Sequence, residues 1–170
     1  HDAIKAIYSG ISQKPKWALD ADIAKCFDRI NHEALMAKLN TSPKLRRCIK
    51  GWLKAGVMDG EELFPATAGT PQGGVISPLL ANVALHGLET VIGEKFPKRR
   101  GISPPKVVRY ADDFVVLHEE REVVEQSREI IAEWLKEMGL ELKESKTRIV
   151  HTLETTEGEA GFEFLGFQIK

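Results

Sequence analysis

Cysteine is scarce. Cys26 and Cys48 are the two in 170 residues, and their separation matches no metal-ligand spacing. A disulfide framework is excluded, and a reduced, cytoplasmic setting is the expectation. Long apolar runs are also missing. None approaches the roughly 20 residues of a membrane helix, so no membrane partner is expected. The first ten residues lack the basic n-region of a secretory signal. No internal repeat or low-complexity segment occurs. Nor is there a charge surplus: 24 Lys and Arg stand against 25 Asp and Glu. Near neutrality argues mildly against a nucleic-acid binder, because phosphate contacts usually draw on a basic surplus. The argument weakens where acids are gathered for a metal, and cations do cluster locally. One group is Lys44, Arg46, Arg47, Lys50 and Lys54; the other is Lys95, Lys98, Arg99, Arg100 and Lys106. What is present is an apolar fraction of 42% in a chain long enough for one domain with a core.

The stretch Val107-Val108-Arg109-Tyr110-Ala111-Asp112-Asp113-Phe114-Val115-Val116-Leu117 organises the rest. Two runs of β-branched and aromatic residues flank an acidic centre, which reads as a β-hairpin with carboxylates at its tip. Adjacent carboxylates repel and need solvent or a cation, and Mg²⁺ is bound chiefly by such oxygens. Turn chemistry is the plain alternative, since Asp favours turns. A second acidic strand end lies 90 residues earlier, in Trp17-Ala18-Leu19-Asp20-Ala21-Asp22-Ile23. Alternation puts Trp17, Leu19, Ala21 and Ile23 on a buried face and Ala18, Asp20 and Asp22 on the other. Asp is depleted in strands, so two on one face point to use, although an exposed strand face can simply carry charge.

The remaining elements follow from periodicity and punctuation. Residues 1–13 have the spacing of an amphipathic helix, with Asp2 as a possible cap. Residues 24–30 form a short helix, and Asn31 caps another through residue 39. His32 and Glu33 there read as first-turn surface residues. Pro43 opens a helix ending before Gly56, with one basic face that is either solvated or a phosphate contact. Asp59-Gly60 suggests a turn. A glycine-rich loop, Gly69-Thr70-Pro71-Gln72-Gly73-Gly74, feeds a helix from about Val75 or Ser77 to about Ile92. Such a loop is a ready anion site but not a P-loop, because no Gly-Lys-Ser/Thr follows. Residues 93–106 read as a loop. A long amphipathic helix over 119–138 stops at Gly139. A strand over 146–150 and an aromatic strand or hairpin over 162–169 close the chain.

In this order, the pieces resemble the palm of a reverse transcriptase, most closely the group II intron-encoded (maturase) type. The carrying motifs are Ala18-Leu19-Asp20-Ala21-Asp22-Ile23-Ala24-Lys25-Cys26-Phe27-Asp28, Gly69-Thr70-Pro71-Gln72-Gly73-Gly74, Tyr110-Ala111-Asp112-Asp113, Gly139-Leu140-Glu141-Leu142-Lys143-Glu144-Ser145-Lys146-Thr147 and Phe164-Leu165-Gly166-Phe167. The resemblance implies an α+β right-hand polymerase palm, an antiparallel sheet backed by helices. It would span residues 1–170 with part of the fingers at about 1–16 and 43–66. The upstream fingers and downstream thumb of the family are not in these residues. In the family the metal-binding Asp lies five residues before an aromatic, which fits Asp22 and Phe27 and not Asp20. The implied catalytic trio is Asp22, Asp112 and Asp113, holding two Mg²⁺ (Mn²⁺ can substitute) with the carbonyl of Ile23 as a further ligand. Phe27 would select deoxynucleotides. Gln72, Gly73 and Gly74 would lie against nucleotide and template, and Lys146 near the phosphates. Tyr110, Phe164, Leu165 and Gly166 would support the primer.

The implied function is RNA-directed DNA polymerisation, nucleotidyl transfer of dNTPs to a primer 3′-hydroxyl. Template RNA, DNA primer and intron RNA are the implied partners, in a bacterial or organellar cytoplasmic setting. This chain departs from the family at Lys143, where Asn is usual, and at Ala24 or Cys26, where Gly is usual. Neither departure is expected to touch the trio. The competing readings are a non-catalytic RNA-binding maturase module and a retron- or CRISPR-associated relative. A two-metal nuclease or phosphatase would need His or extra acids near the trio, and His86, His118 and His151 have no such spacing.

Overall fold

Strand pairing among distant segments builds the centre of the protein. The computed structural model describes residues 2–54, 57–59, 62–64, 76–98, 103–154 and 160–170, the backbone alone for 57–59 and 62–64. The chain divides into two compact units. The first comprises residues 1–23, 87–133 and 142–170, the second residues 24–86 and 134–141.

In the first unit, α1 (Asp2–Ile11) precedes β1 (Trp17–Asp22). Then come α6 (Leu88–Lys95), the hairpin strands β4 (Lys106–Tyr110) and β5 (Asp113–His118), and most of α7 (Arg121–Glu137). A short 3-10 turn (Glu144–Lys146) leads to β6 (Arg148–His151) and a second hairpin, β7 (Phe162–Phe164) and β8 (Phe167–Ile169). The main sheet has the order β4-β5-β1-β6 and is antiparallel throughout. One of its faces joins Ala18, Val108, Val115 and Leu117 to Ile7 of α1 and to Phe162, Phe164 and Ile169 of the second hairpin. On the other face Leu19, Phe114 and Val116 are fully buried. The sheet is therefore covered on both sides. The expectation that only the Leu19 face of β1 is buried is corrected: Ala18 is wholly buried too, and only Asp20 and Asp22 carry polarity onto that face.

In the second unit, α2 (Cys26–Arg29), α3 (His32–Lys38) and α4 (Pro43–Lys54) precede a small hairpin, β2 (Val57–Asp59) and β3 (Glu62–Phe64), and α5 (Ser77–Leu85). Asn31 caps α3 as its sequence requires, its Oδ1 accepting from Ala34 N at 2.9 Å. Helix α3 packs on α4 and α5. Around them Leu35, Ile49, Leu53, Leu80, Leu85 and Leu135 are buried. Lys38 donates to the Ala84 carbonyl at 2.7 Å and lies over the Trp134 ring.

Two expectations fail for one local reason. The helix expected to run to about Ile92 breaks into α5 and α6, and α6 continues through Gly93 to Lys95. The break falls at Gly87, whose φ of 98° no helix accommodates, and His86 before it is extended. The apolar periodicity of this stretch cannot reveal that a glycine has turned left-handed. Asp59 ends β2, opposite Glu62 of β3; Gly60 after it and the glycine-rich loop around Gln72 lie outside the described residues.

Gly161 has φ +84°, and a methyl group added there would clash with the Ile169 carbonyl oxygen. Gly161→Ala should therefore cost about 2–3 kcal/mol of unfolding free energy. Gly93, inside α6 with open space around it, should gain about 0.5–1 kcal/mol on replacement by Ala. Urea unfolding of the two variants checks both signs.

Candidate active site

Strand register assembles the site. β1 and β5 pair with Asp22 opposite Asp113, Asp20 opposite Val115 and Ala18 opposite Leu117. Alternation then places Asp20, Asp22 and Asp113 on the face whose other end is the apolar cluster. Tyr110 is opposite Asp113 from β4, and Arg148 is opposite Asp20 from β6. Asp112 lies in the two-residue turn between β4 and β5. Ala111, the first residue of that turn, has φ 55°, a position that usually takes glycine or a short polar residue. Arg109 Nη1 donates to the Ala111 carbonyl at 2.9 Å and helps hold this strained conformation.

Like charges directly opposite one another destabilise a sheet. Asp113 lies under that repulsion, opposite Asp22. Burial pushes its carboxyl pKa above 3.8, the negative charges of Asp22 and Asp112 push it further, and Lys146 partly offsets them. Asp22 is itself buried, 8% exposed. Its Oδ2 is met by Lys146 Nζ at 2.9 Å and by Lys143 Nζ at 3.9 Å. The hydrogen bond and charge of Asp22 hold Lys146 above its usual pKa. The Lys143 amide also donates to the Asp22 carbonyl at 2.8 Å, and Ile23 bridges to Leu142 beside it. Lys143 thus reaches the trio through both side chain and backbone, which corrects the expectation that its departure from the family leaves those residues untouched. Its distance of three residues from Lys146 suggests nothing until the 3-10 turn brings both ammoniums to one carboxylate.

Asp20 has a separate arrangement. Its Oδ2 accepts from Arg148 Nε at 3.0 Å. Burial nevertheless raises the Asp20 pKa, outweighing the lowering by Arg148, with Asp113 adding to the rise. Among the described residues, no three His, Cys, Asp or Glu side chains converge as a metal cage. The donor chemistry does suit a hard divalent cation. Three carboxylates occupy one strand pair and its turn, and the repulsion among them is what such an ion would relieve.

The other expected site residues are placed as follows. Phe164 is buried in the core beneath the second hairpin. Leu165 and Gly166 form its two-residue turn, both with positive φ, 51° and 78°. Tyr110 is 57% exposed. Phe27 sits half-buried on α2 in the second unit. Gln72, Gly73 and Gly74 lie outside the described residues. His118 and His151 are at the end of the sheet away from Asp22, where both pair with Trp17. That arrangement disfavours a histidine-assisted nuclease site.

An antiparallel sheet that presents carboxylates from a central strand and from the adjoining hairpin turn defines a polymerase palm. Residues 3–169 match the family described as reverse transcriptase (RNA-dependent DNA polymerase), and the chain belongs to that family. It is 30% identical over 153 residues to the group II intron-encoded protein LtrA of Lactococcus lactis subsp. cremoris, covering 88% of this chain and 25% of that protein. It is also 36% identical over 95 residues to a 91 kDa protein in the cob intron of Schizosaccharomyces pombe, covering 54% and 12%. The chain thus spans a quarter or less of these two relatives. In fold it is similar to the telomerase of Candida tropicalis solved with a fragment of telomeric RNA, with TM-score 0.71 and 13% identity. That match covers 98% of this chain and 30% of the telomerase.

A raised carboxylate pKa has a definite sign in stability. Between the raised value and 3.8 the folded state binds more protons than the unfolded state, so this contribution falls as pH rises through the window. Asp113→Asn should therefore raise the urea midpoint at pH 7, with the advantage shrinking as pH falls toward 4. A lower midpoint at pH 7 would show that the ionised carboxylate is a net stabiliser.

Proposed function

We propose that this chain is the catalytic core of an RNA-directed DNA polymerase that extends a DNA primer on an RNA template. The observation that carries the reading is Asp22 held opposite Asp113, with Asp112 in the adjoining turn. Asp22, Asp112, Asp113 and the Ile23 carbonyl would hold two Mg²⁺ or Mn²⁺ ions. When bound, these ions supply a lowered pKa at the primer 3′-hydroxyl and charge neutralisation at the phosphates.

The reaction is in-line. The primer 3′-oxygen bonds to the α-phosphorus of a dNTP as the bond to pyrophosphate breaks. Lys146, an ammonium at neutral pH beside Asp22, would give a proton to the departing pyrophosphate. Phe27 would occupy the space of a ribose 2′-hydroxyl. Gln72, Gly73 and Gly74 would face the incoming nucleotide and template. Tyr110 and the Leu165-Gly166 turn would hold the primer end, positioning that accounts for much of such a rate. The similarity to intron-encoded proteins supports an origin in a protein that also binds intron RNA and assists its splicing.

Extension of a DNA primer on an RNA template with Mg²⁺ tests the site. Asp112→Asn should slow it by about 10²–10³-fold, and equal extension by both chains would sink the assignment. Phe27→Ala should raise ribonucleotide use relative to deoxynucleotide use by about tenfold or more. An unchanged ratio would remove Phe27 from the sugar-reading role.

A further inference from the structure

Helix α4 carries features that the polymerisation chemistry does not use. Its sequence, Pro43-Lys44-Leu45-Arg46-Arg47-Cys48-Ile49-Lys50-Gly51-Trp52-Leu53-Lys54, holds five cations and no acid in a chain of net charge −1. The fold uses only one edge of it, Ile49 and Leu53, which are buried. Arg46 is also committed, its Nη1 donating to the Leu39 carbonyl at 2.7 Å. Lys44, Arg47, Lys50 and Lys54 are exposed, and none has an ion-pair partner among the described residues. Lys44 and Arg47 sit in the first turns, at the positive end of the helix dipole, where a cation opposes the fold.

The exposed surface has two parallel stripes. Leu45, Cys48 and Trp52 follow one another at helical spacing, with Leu45 44% and Trp52 49% exposed. Beside them run Lys44, Arg47, Gly51 and Lys54, spaced three, four and three residues apart. Gly51 interrupts the cation stripe next to Trp52, and a methyl group added there would meet nothing within 4 Å. A glycine inside a helix weakens it, and among the described residues nothing packs against this one. It leaves a gap where another backbone can approach the helix closely.

We propose that this face of α4 binds a single strand of RNA, with Trp52 stacking on a base and Lys44, Arg47 and Lys54 neutralising phosphates. The choice of RNA among polyanions rests on the function proposed above. A row of cations beside an exposed aromatic is the arrangement that grips single strands without reading sequence. A second copy of the chain is disfavoured, because a symmetric contact would bring these unpaired cations together. A membrane surface is disfavoured too, because the helix has already buried its Ile49 and Leu53 edge and leaves only Leu45, Cys48 and Trp52 to insert.

The test is fluorescence anisotropy of a labelled 20-nucleotide oligouridine, with no primer present, over a series of salt concentrations. Trp52→Ala should weaken binding about tenfold with little change in salt dependence, and Trp52→Phe should restore most of it. The triple replacement Lys44→Gln, Arg47→Gln and Lys54→Gln should reduce the slope of log affinity against log salt by about 2. The three cations are exposed and two of them oppose the helix dipole, so their replacement should not lower the thermal midpoint. The proposal is overturned if the chain does not bind the RNA at 50 mM salt, or if the variants keep the original affinity and slope. It is also overturned if sedimentation shows a self-associated species that Trp52→Ala dissolves. Primer extension on the same samples separates the two ideas. RNA binding that depends on Trp52 leaves this inference standing whether or not the chain extends a primer, and equal extension by the chain and its Asp112→Asn form would remove the polymerase site alone. Extension without such binding would remove this inference alone.

Discussion

The first unit depends on the register between β1 and β5. Ala18 must face Leu117 for the core to close, and that pairing carries Asp22 to a position opposite Asp113. A slip of one residue would turn every apolar side chain of β1 to the wrong face. The core therefore enforces a contact between like charges that the carboxylates themselves resist. Burial, and then the charges of Asp22 and Asp112, raise the Asp113 pKa. Lys146, at 2.9 Å from Asp22, offsets part of that rise. Negative charge thus collects at the end of the sheet, with Lys143 and Lys146 beside it.

The supports of this site share a feature. The Lys143 amide fastens the end of β1, and Arg148 fastens Asp20 two residues earlier. Two hairpin turns, at Ala111 and at Leu165-Gly166, place non-glycine residues at positive φ. Each such residue costs about 1–3 kcal/mol. Burial of Phe164 and Ile169 against Val115 and Ile7 offsets that cost near the second turn. The first of these turns also carries Asp112.

Charge is separated in this protein rather than absent from it. Acids gather where β1 meets the β4–β5 hairpin, and α4 carries five cations, four of them without an ion-pair partner among the described residues. The sum is near zero, and the sum is what makes the composition look indifferent to nucleic acid. Local sign matters more than total charge, because exposed charges farther apart than about 10 Å are largely screened at 0.1 M salt.

Much was legible before any coordinates. Alternation marked β1 and the acidic hairpin, Asn31 marked the start of α3, and Gly139 marked the end of α7. These are local signals, and local physics determines them. Motif order singled out Asp22, Asp112 and Asp113, and the register sets Asp22 opposite Asp113. The tertiary structure decided the rest. It paired Asp20 with Arg148 across 128 residues of chain, covered the Ala18 face of the sheet, and split one apolar helix at Gly87. It also brought Lys143 to Asp22. Each of these outcomes depends on which strand lies beside which, or on a single φ angle. A linear pattern of residue types states preferences for neighbours in the chain, but carries no term for neighbours acquired by folding.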